Sequence, residues 1–249
     1  GYSSAASVVY KRQTTINILS TLLTSDTGTI NIFNLPLTSH SNKIKAQLGI
    51  VPQEIALYED ISAYHNVAFF ASLYGVKKKD LPKQVMNALT FVGLSDKKND
   101  DPRTFSGGMK RRLNIACAIA HNPKLLILDE PTVGIDPQSR NYILSSLKEL
   151  KEKGTTIIYT THYMEEVEEI ADRIVIMDRG TKIAEGTLKE LLAKYKDTLI
   201  YTIYADDFPV DLAISLSTIN GVEEIKTNAD NFKITVSKNY DALDTVSYT

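Results

Sequence analysis

The chain has 249 residues, with 28 basic and 30 acidic side chains (formal net charge −2), 43% hydrophobic and 23% charged residues. These values fit an ordinary globular protein with a sizeable core, built as one large domain with or without a small appendage, and they carry no basic footprint for nucleic acid. The single cysteine, Cys117, lies in an apolar run and excludes an internal disulfide framework. No apolar run reaches the roughly 18 residues of a membrane span, and the N-terminus lacks the charged-then-apolar pattern of a secretory leader.

Residues 1–13, GYSSAASVVYKRQ, give no firm structural assignment. From Thr14 the aliphatics Ile16, Leu19, Leu22 and Leu23 fall at helical spacing. A turn at Ser25–Gly28 leads to alternation over Thr29–Ile32, and Asn34 suits a turn because Asn tolerates the left-handed region. Leu48–Pro52 reads as a short strand, followed at once by Gln53. Tyr58 to about Asn99 is helical in pattern, with Lys77–Lys79 as a solvated charge run. Asn114–Ala120 completes a helix before the aliphatic run Leu125–Leu128, which suits a parallel strand buried on both faces. A helix over Ser139–Lys153 ends at Gly154, and strands at Thr155–Thr160 and Arg173–Met177 flank a helix over Met164–Ala171. Asp178-Arg179-Gly180 turns into a strand at Lys182–Ala184. Thr187 and Glu190 have capping-box spacing for a helix ending near Tyr195. The tail reads as a strand at Thr198–Tyr204, a helix at Val210–Leu216, and a hairpin of Val222–Thr227 and Phe232–Val236 turning at Asn228–Asp230. Alternating strands and helices predict an α/β fold with a mainly parallel sheet.

Chemistry concentrates where these elements end. Ligands of open α/β sheets bind beyond the carboxyl ends of the strands, where Asp129 and Glu130 emerge together. Asp129 is placed to hold magnesium and Glu130 to orient or deprotonate a water. His162 follows a second apolar strand, so its imidazole is expected at the same edge. Ser106 is placed to cap a helix, and Gly107 and Gly108 let a phosphate approach that helix's first amides. Gly134-Ile135-Asp136-Pro137 is a tight turn just past the Glu130-Pro131 corner.

Gln53, FSGGMKRR at 105–112, LLILDEPTVGID at 125–136 and TTHYMEE at 160–166 together resemble, in order and spacing, the nucleotide-binding subunit of ATP-binding cassette (ABC) transporters. The likeness covers roughly Thr14 to Ala193. It implies a P-loop NTPase-like core with a helical subdomain at about 58–115, within a nucleotide-binding domain spanning 1–195. A small α+β extension over 196–249 resembles that of many exporter ATPases. It further implies ATP and Mg2+ as cofactors, with Gln53 in the Q-loop and Ser106, Gly107 and Gly108 in the signature. Asp129 would end the Walker B strand as a magnesium ligand, a task that Gln53 would share. Glu130 would be the catalytic carboxylate, Asp136 the D-loop acid, and His162 the switch histidine. Thr14 and Thr15 would lie beside the nucleotide. The implied partners are a transmembrane permease subunit and a second nucleotide-binding subunit, in a homo- or heterodimer. The implied place is the cytoplasmic face of the cell membrane, and the variants Phe-Ser-Gly-Gly-Met and Gly-Ile-Asp-Pro look most like exporters of drugs, antibiotics or lipids.

The family's P-loop, G-x-x-x-x-G-K-[ST], should immediately precede Thr14. Here Ala6 and Lys11 stand at the glycine positions, Arg12 at the lysine and Gln13 at the magnesium-binding hydroxyl. Side chains and a restricted backbone should hinder the amide cradle for the β-phosphate. The expectation is a chain truncated or altered near its N-terminus and open to truncation at its C-terminus as well, with impaired catalysis. Two alternatives stand beside the ATPase. One is a non-catalytic subunit that supplies Ser106-Gly107-Gly108 to an intact partner. The other is a non-transport ABC ATPase, disfavoured because Ser106 follows Gln53 by only 53 residues without sustained heptads.

Overall fold

The computed structural model describes residues 13–195, 198–203, 216–227 and 232–237. Expectations that fall on Ala6, Lys11, Arg12, the helix at 210–215 and the turn at 228–230 lie outside them. The described residues form two compact units. One runs to Ala171 and includes Met177–Thr181; the other takes Asp172–Ile176 and the described residues from Lys182 onward.

The first unit is organised on three parallel strands, β3 (Leu48–Val51), β4 (Leu125–Asp129) and β5 (Thr156–Thr160), with β4 in the middle. All five β4 residues are buried, as a strand covered on both faces requires. Its side chains alternate between two cores. Leu126 and Leu128 pack with the helices that follow β3, while Leu125 and Ile127 pack with Ile16, Ile32, Leu37, Ile44 and Leu48. Every side chain of β4 is thus committed, and a register slip of one residue would exchange the two sets.

The first helix, α1 (residues 13–19), is shorter than its apolar spacing predicts. Thr21 adopts φ 64, the chain leaves the helix there, and Leu22 and Leu23 are exposed rather than buried. The short strands β1 (Asn31–Ile32) and β2 (Leu35–Pro36) pair around Phe33 and Asn34, whose φ values of 56 and 60 make a two-residue hairpin turn. Helix α2 (Leu37–Lys45) leads into β3.

Three helices fill the span between β3 and β4. Helix α3 (Ala63–Leu73) packs on α4 (Leu81–Phe91) and on α5 (Gly107–Ile119). The buried Asn66 secures the loop before α3: its amide donates to the carbonyls of Tyr58, Ile61 and Ser62 and accepts from the Tyr58 amide. Four hydrogen bonds satisfy a group that would be costly to bury alone. Helix α5 starts where the sequence places its cap: Ser106 accepts from the Met109 amide at 3.2 Å.

Helix α6 (Pro137–Glu152) and helix α7 (Met164–Ile170) flank β5 in sequence. Strands β6 (Ile174–Asp178) and β7 (Thr181–Gly186) pair across Arg179 and Gly180, both at positive φ. Helix α8 (Leu188–Tyr195) opens with the expected capping box, in which Thr187 and Glu190 each accept from the other's amide. Strands β8 (Thr198–Ile203), β10 (Phe232–Ser237) and β9 (Val222–Thr227) form an antiparallel sheet in that order, over Leu216, Ile234 and Val236.

His121, just after α5, stacks on Tyr74 with ring centroids 3.9 Å apart and bonds the Leu48 carbonyl through Nε2 at 2.9 Å. Burial pushes its pKa down to about 4 from 6.5, against the opposing pull of the Leu48 carbonyl. The unfolded ring takes up a proton near pH 6.5 and the folded ring resists it, so the stabilising difference is fully present above 6.5 and is lost as pH falls towards 4. Between pH 7 and pH 4.5 the wild type should lose about 2 kcal/mol more unfolding free energy than His121→Gln. Urea melts of both proteins across that range measure this, and parallel pH profiles would count against it.

Candidate active site

β4 ends at Asp129, and the next residue turns sharply: Glu130 has φ 45, a left-handed conformation that costs a residue with a Cβ about 1–2 kcal/mol. Strain of this kind persists only where neighbours fix it. Here the Glu130 amide reaches both the carbonyl and the hydroxyl of Thr160, each at 3.1 Å. The same hydroxyl donates to Asp129 Oδ1 at 2.6 Å. The end of β5 therefore holds both acids in place.

The Glu130 side chain is buried, and each of its oxygens has a partner from a different strand end. Gln53, just beyond β3, donates from Nε2 to Oε2 at 3.2 Å. His162, just beyond β5, donates from Nδ1 to Oε1 at 3.0 Å. The imidazole remains 54% exposed while the carboxylate is 8% exposed, so the cluster is anchored inside and open outside. The structure thus brings Asp129, Glu130 and His162 to one edge of the sheet, as their strand ends imply, and adds Gln53, which the resemblance alone places there. Thr14 and Thr15 sit at the start of α1, whose Ile16 packs under β4.

The second group is the turn of Ser106, Gly107 and Gly108. Space around a Cβ on Gly107 is open, which lets a ligand reach the backbone. Gly108 is different: a Cβ there would collide with Ser139 Oγ and lie 3.1 Å from Asp136 Oδ2. Asp136 caps α6 by accepting from the Ser139 amide at 2.8 Å, and its hydrogen bonds hold the carboxyl below its ordinary value. The turn at Ser106–Gly108 and Asp136 are thus packed together, and Gly108 is what permits the contact.

Arg111 joins the two groups and was not legible as a site residue. It is buried, and its guanidinium donates to the carbonyls of Pro52 and Gln53. Burial pulls its pKa down, against the opposing pull of Asp129. The clue available in the sequence was its place on the apolar stripe with Ile115 and Ala118, where a cation needs buried acceptors. Glu166 is a second such residue. It is fully buried and accepts from Thr132, Thr161 and Tyr159 hydroxyls and from Arg140. Burial raises its pKa, but these donors together outweigh that effect and hold the carboxyl low.

Parallel strands that deliver acids, an amide and an imidazole to one edge, near a glycine-opened helix start, define a phosphate-handling α/β protein. Residues 13–133 match the ABC transporter family. LnrL, the linearmycin resistance ATP-binding protein of Bacillus subtilis, is 42% identical over 226 residues, covering 91% of this chain and 73% of LnrL. The Nod factor export ATP-binding protein I of Ralstonia nicotianae is 34% identical over 198 residues, covering 80% of this chain; the chain spans 62% of that relative's length. A solved ATP-binding cassette, dimeric and bound to ADP and phosphate in a post-hydrolysis state, shares the fold with TM-score 0.64 at 26% identity, covering 71% of this chain and 80% of the other. The chain belongs to the ABC transporter family, as one of its ATP-binding subunits.

Gly108→Ala should push α5 from α6 and lower Tm by roughly 2–10 °C, the equivalent of about 1–3 kcal/mol of overpacking. Gly107→Ala should leave Tm within about 1 °C, because its Cβ meets nothing. Calorimetric melts distinguish the two, and equal effects would contradict the close packing at Gly108.

Proposed function

We propose that this chain is the ATP-binding and ATP-hydrolysing subunit of an exporter. It powers the movement of a drug-, antibiotic- or lipid-like substrate through a separate transmembrane permease. Family membership supports this, as do relatives whose names speak of resistance and export. In this reading residues 1–195 are the nucleotide-binding domain and 196–249 a C-terminal extension, and the protein sits on the cytoplasmic face of the membrane. Among the described residues no helix is long and apolar enough to cross a membrane.

The observation that carries the reading is the Glu130 carboxylate, held from both sides by Gln53 and His162 at the sheet's carboxyl edge. There it orients a water for attack on a γ-phosphate, while His162 steadies the phosphate oxygens. Magnesium fits the same edge. Asp129 offers a carboxylate and Gln53 an amide oxygen, and magnesium takes few protein donors because water and phosphate oxygens complete its shell. When bound it would neutralise charge on the phosphates. Thr14 and Thr15 lie beside the nucleotide at the start of α1. Ser106, Gly107 and Gly108, with Asp136 against them, serve the γ-phosphate bound by a second subunit, through the amides that open α5.

Residues 6–13 depart from the P-loop pattern, so turnover by the chain as written is expected to be slow. Ala6→Gly, Lys11→Gly, Arg12→Lys and Gln13→Thr together should raise magnesium-dependent ATP hydrolysis at least tenfold, by restoring positioning and charge. Glu130→Gln in that background should lower it by about 10²–10³-fold. Hydrolysis that survives Glu130→Gln would overturn the assignment. The same departure favours a second reading, in which the chain completes the site of an intact subunit. Turnover would then appear only on mixing with such a subunit and would vanish with Ser106→Arg.

A further inference from the structure

We infer that Glu166 is a positioning residue that fixes His162 against Glu130, binding the end of β5, the β4–α6 turn and α6 into one rigid piece. The carboxylate is completely buried. Its Oε1 accepts from Thr132 Oγ1 at 2.6 Å and from Arg140 Nε at 2.8 Å. Its Oε2 accepts from Thr161 Oγ1 at 2.6 Å and from Tyr159 at 2.8 Å. Thr132 lies two residues after Glu130, Thr161 immediately precedes His162, and Arg140 lies one turn beyond the Asp136 cap. One side chain is therefore bonded to every segment that carries an acid or imidazole at this edge, apart from the one that carries Gln53.

Two routes lead from Glu166 to the imidazole. Thr161 donates to Glu166 and accepts from the Tyr163 amide at 3.0 Å, which pins the backbone on both sides of His162. Arg140, paired with Glu166, lies over the Tyr163 ring at 5.1 Å, and that ring contacts the imidazole with centroids 4.2 Å apart. A fully satisfied buried ionic network rigidifies what it joins, and removal of one member leaves the rest uncompensated. Loss of the Glu166 charge would release both routes at once.

The inference rests on the assignment of Glu130 and His162 to the active edge, but its test reads ring geometry without nucleotide or turnover, so the two can fail separately. The chain has four histidines, and His121, bonded to Leu48 within the core, is an internal control for folding. In the full chain with 15N-labelled histidine, long-range 1H–15N spectra report which ring nitrogen carries the proton. In the wild type, His162 should show the Nδ1–H form held by Glu130. Glu166→Gln should shift His162 towards a mixture of tautomers while the His121 signals stay in place. Tyr163→Leu, which leaves the buried carboxylate intact, should produce a smaller shift of the same kind. Unchanged His162 signals in Glu166→Gln, or His121 signals that move with them, would refute a positioning role. Should Glu166→Gln not fold, unchanged His162 signals in Tyr163→Leu would refute it equally.

Discussion

A carboxylate at the end of a strand buried on both faces has lost most of its water, and it stays there only if neighbouring groups replace that water. Glu130 meets this condition through Gln53 on one oxygen and His162 on the other, while its backbone is held by Thr160. Those partners come from the ends of the two strands that flank β4. The site therefore exists only when all three strands are in register. The two apolar layers that fix the register of β4 also determine where its acids emerge.

The remaining polar groups of the first unit extend this arrangement. Arg111 ties the helix opened by Ser106 to the carbonyl of Gln53, the residue whose amide rests on Glu130. Gly108 lets the same helix touch Ser139 and Asp136. Glu166 gathers Thr132, Thr161 and Arg140 behind His162. Each is a buried or close-packed contact between segments distant in sequence. Movement of one segment is thus felt by the others through packed, hydrogen-bonded groups rather than through solvent.

Much of this was legible from local pattern. The four aliphatics before Asp129, the capping roles of Ser106 and Thr187, and the left-handed turn at Asn34 follow from side-chain chemistry within a few residues. The convergence of Glu130 and His162 followed from the rule that strand ends share an edge. Arg111 and Glu166 escaped because the partners that tie them to the site, the Gln53 carbonyl and Thr132, lie 58 and 34 residues away along the chain. A charged residue on an apolar stripe signals a buried pair but does not name the partner. The extent of α1 also escaped, since Leu22 and Leu23 continue the helical spacing while the backbone turns at Thr21; periodicity records which residues could share a face, not where the chain leaves it.

On the proposed function, the edge formed by β3, β4 and β5 is a magnesium-dependent nucleotide site. Calorimetric titration of ATP, with and without magnesium, into the full chain carrying Ala6→Gly, Lys11→Gly, Arg12→Lys and Gln13→Thr, and into the same chain with Asp129→Asn added, tests this most directly. Magnesium should strengthen binding about tenfold or more in the restored chain and hardly at all once Asp129→Asn is added. Equal response to magnesium in the two proteins, or no heat of binding in either, would contradict it.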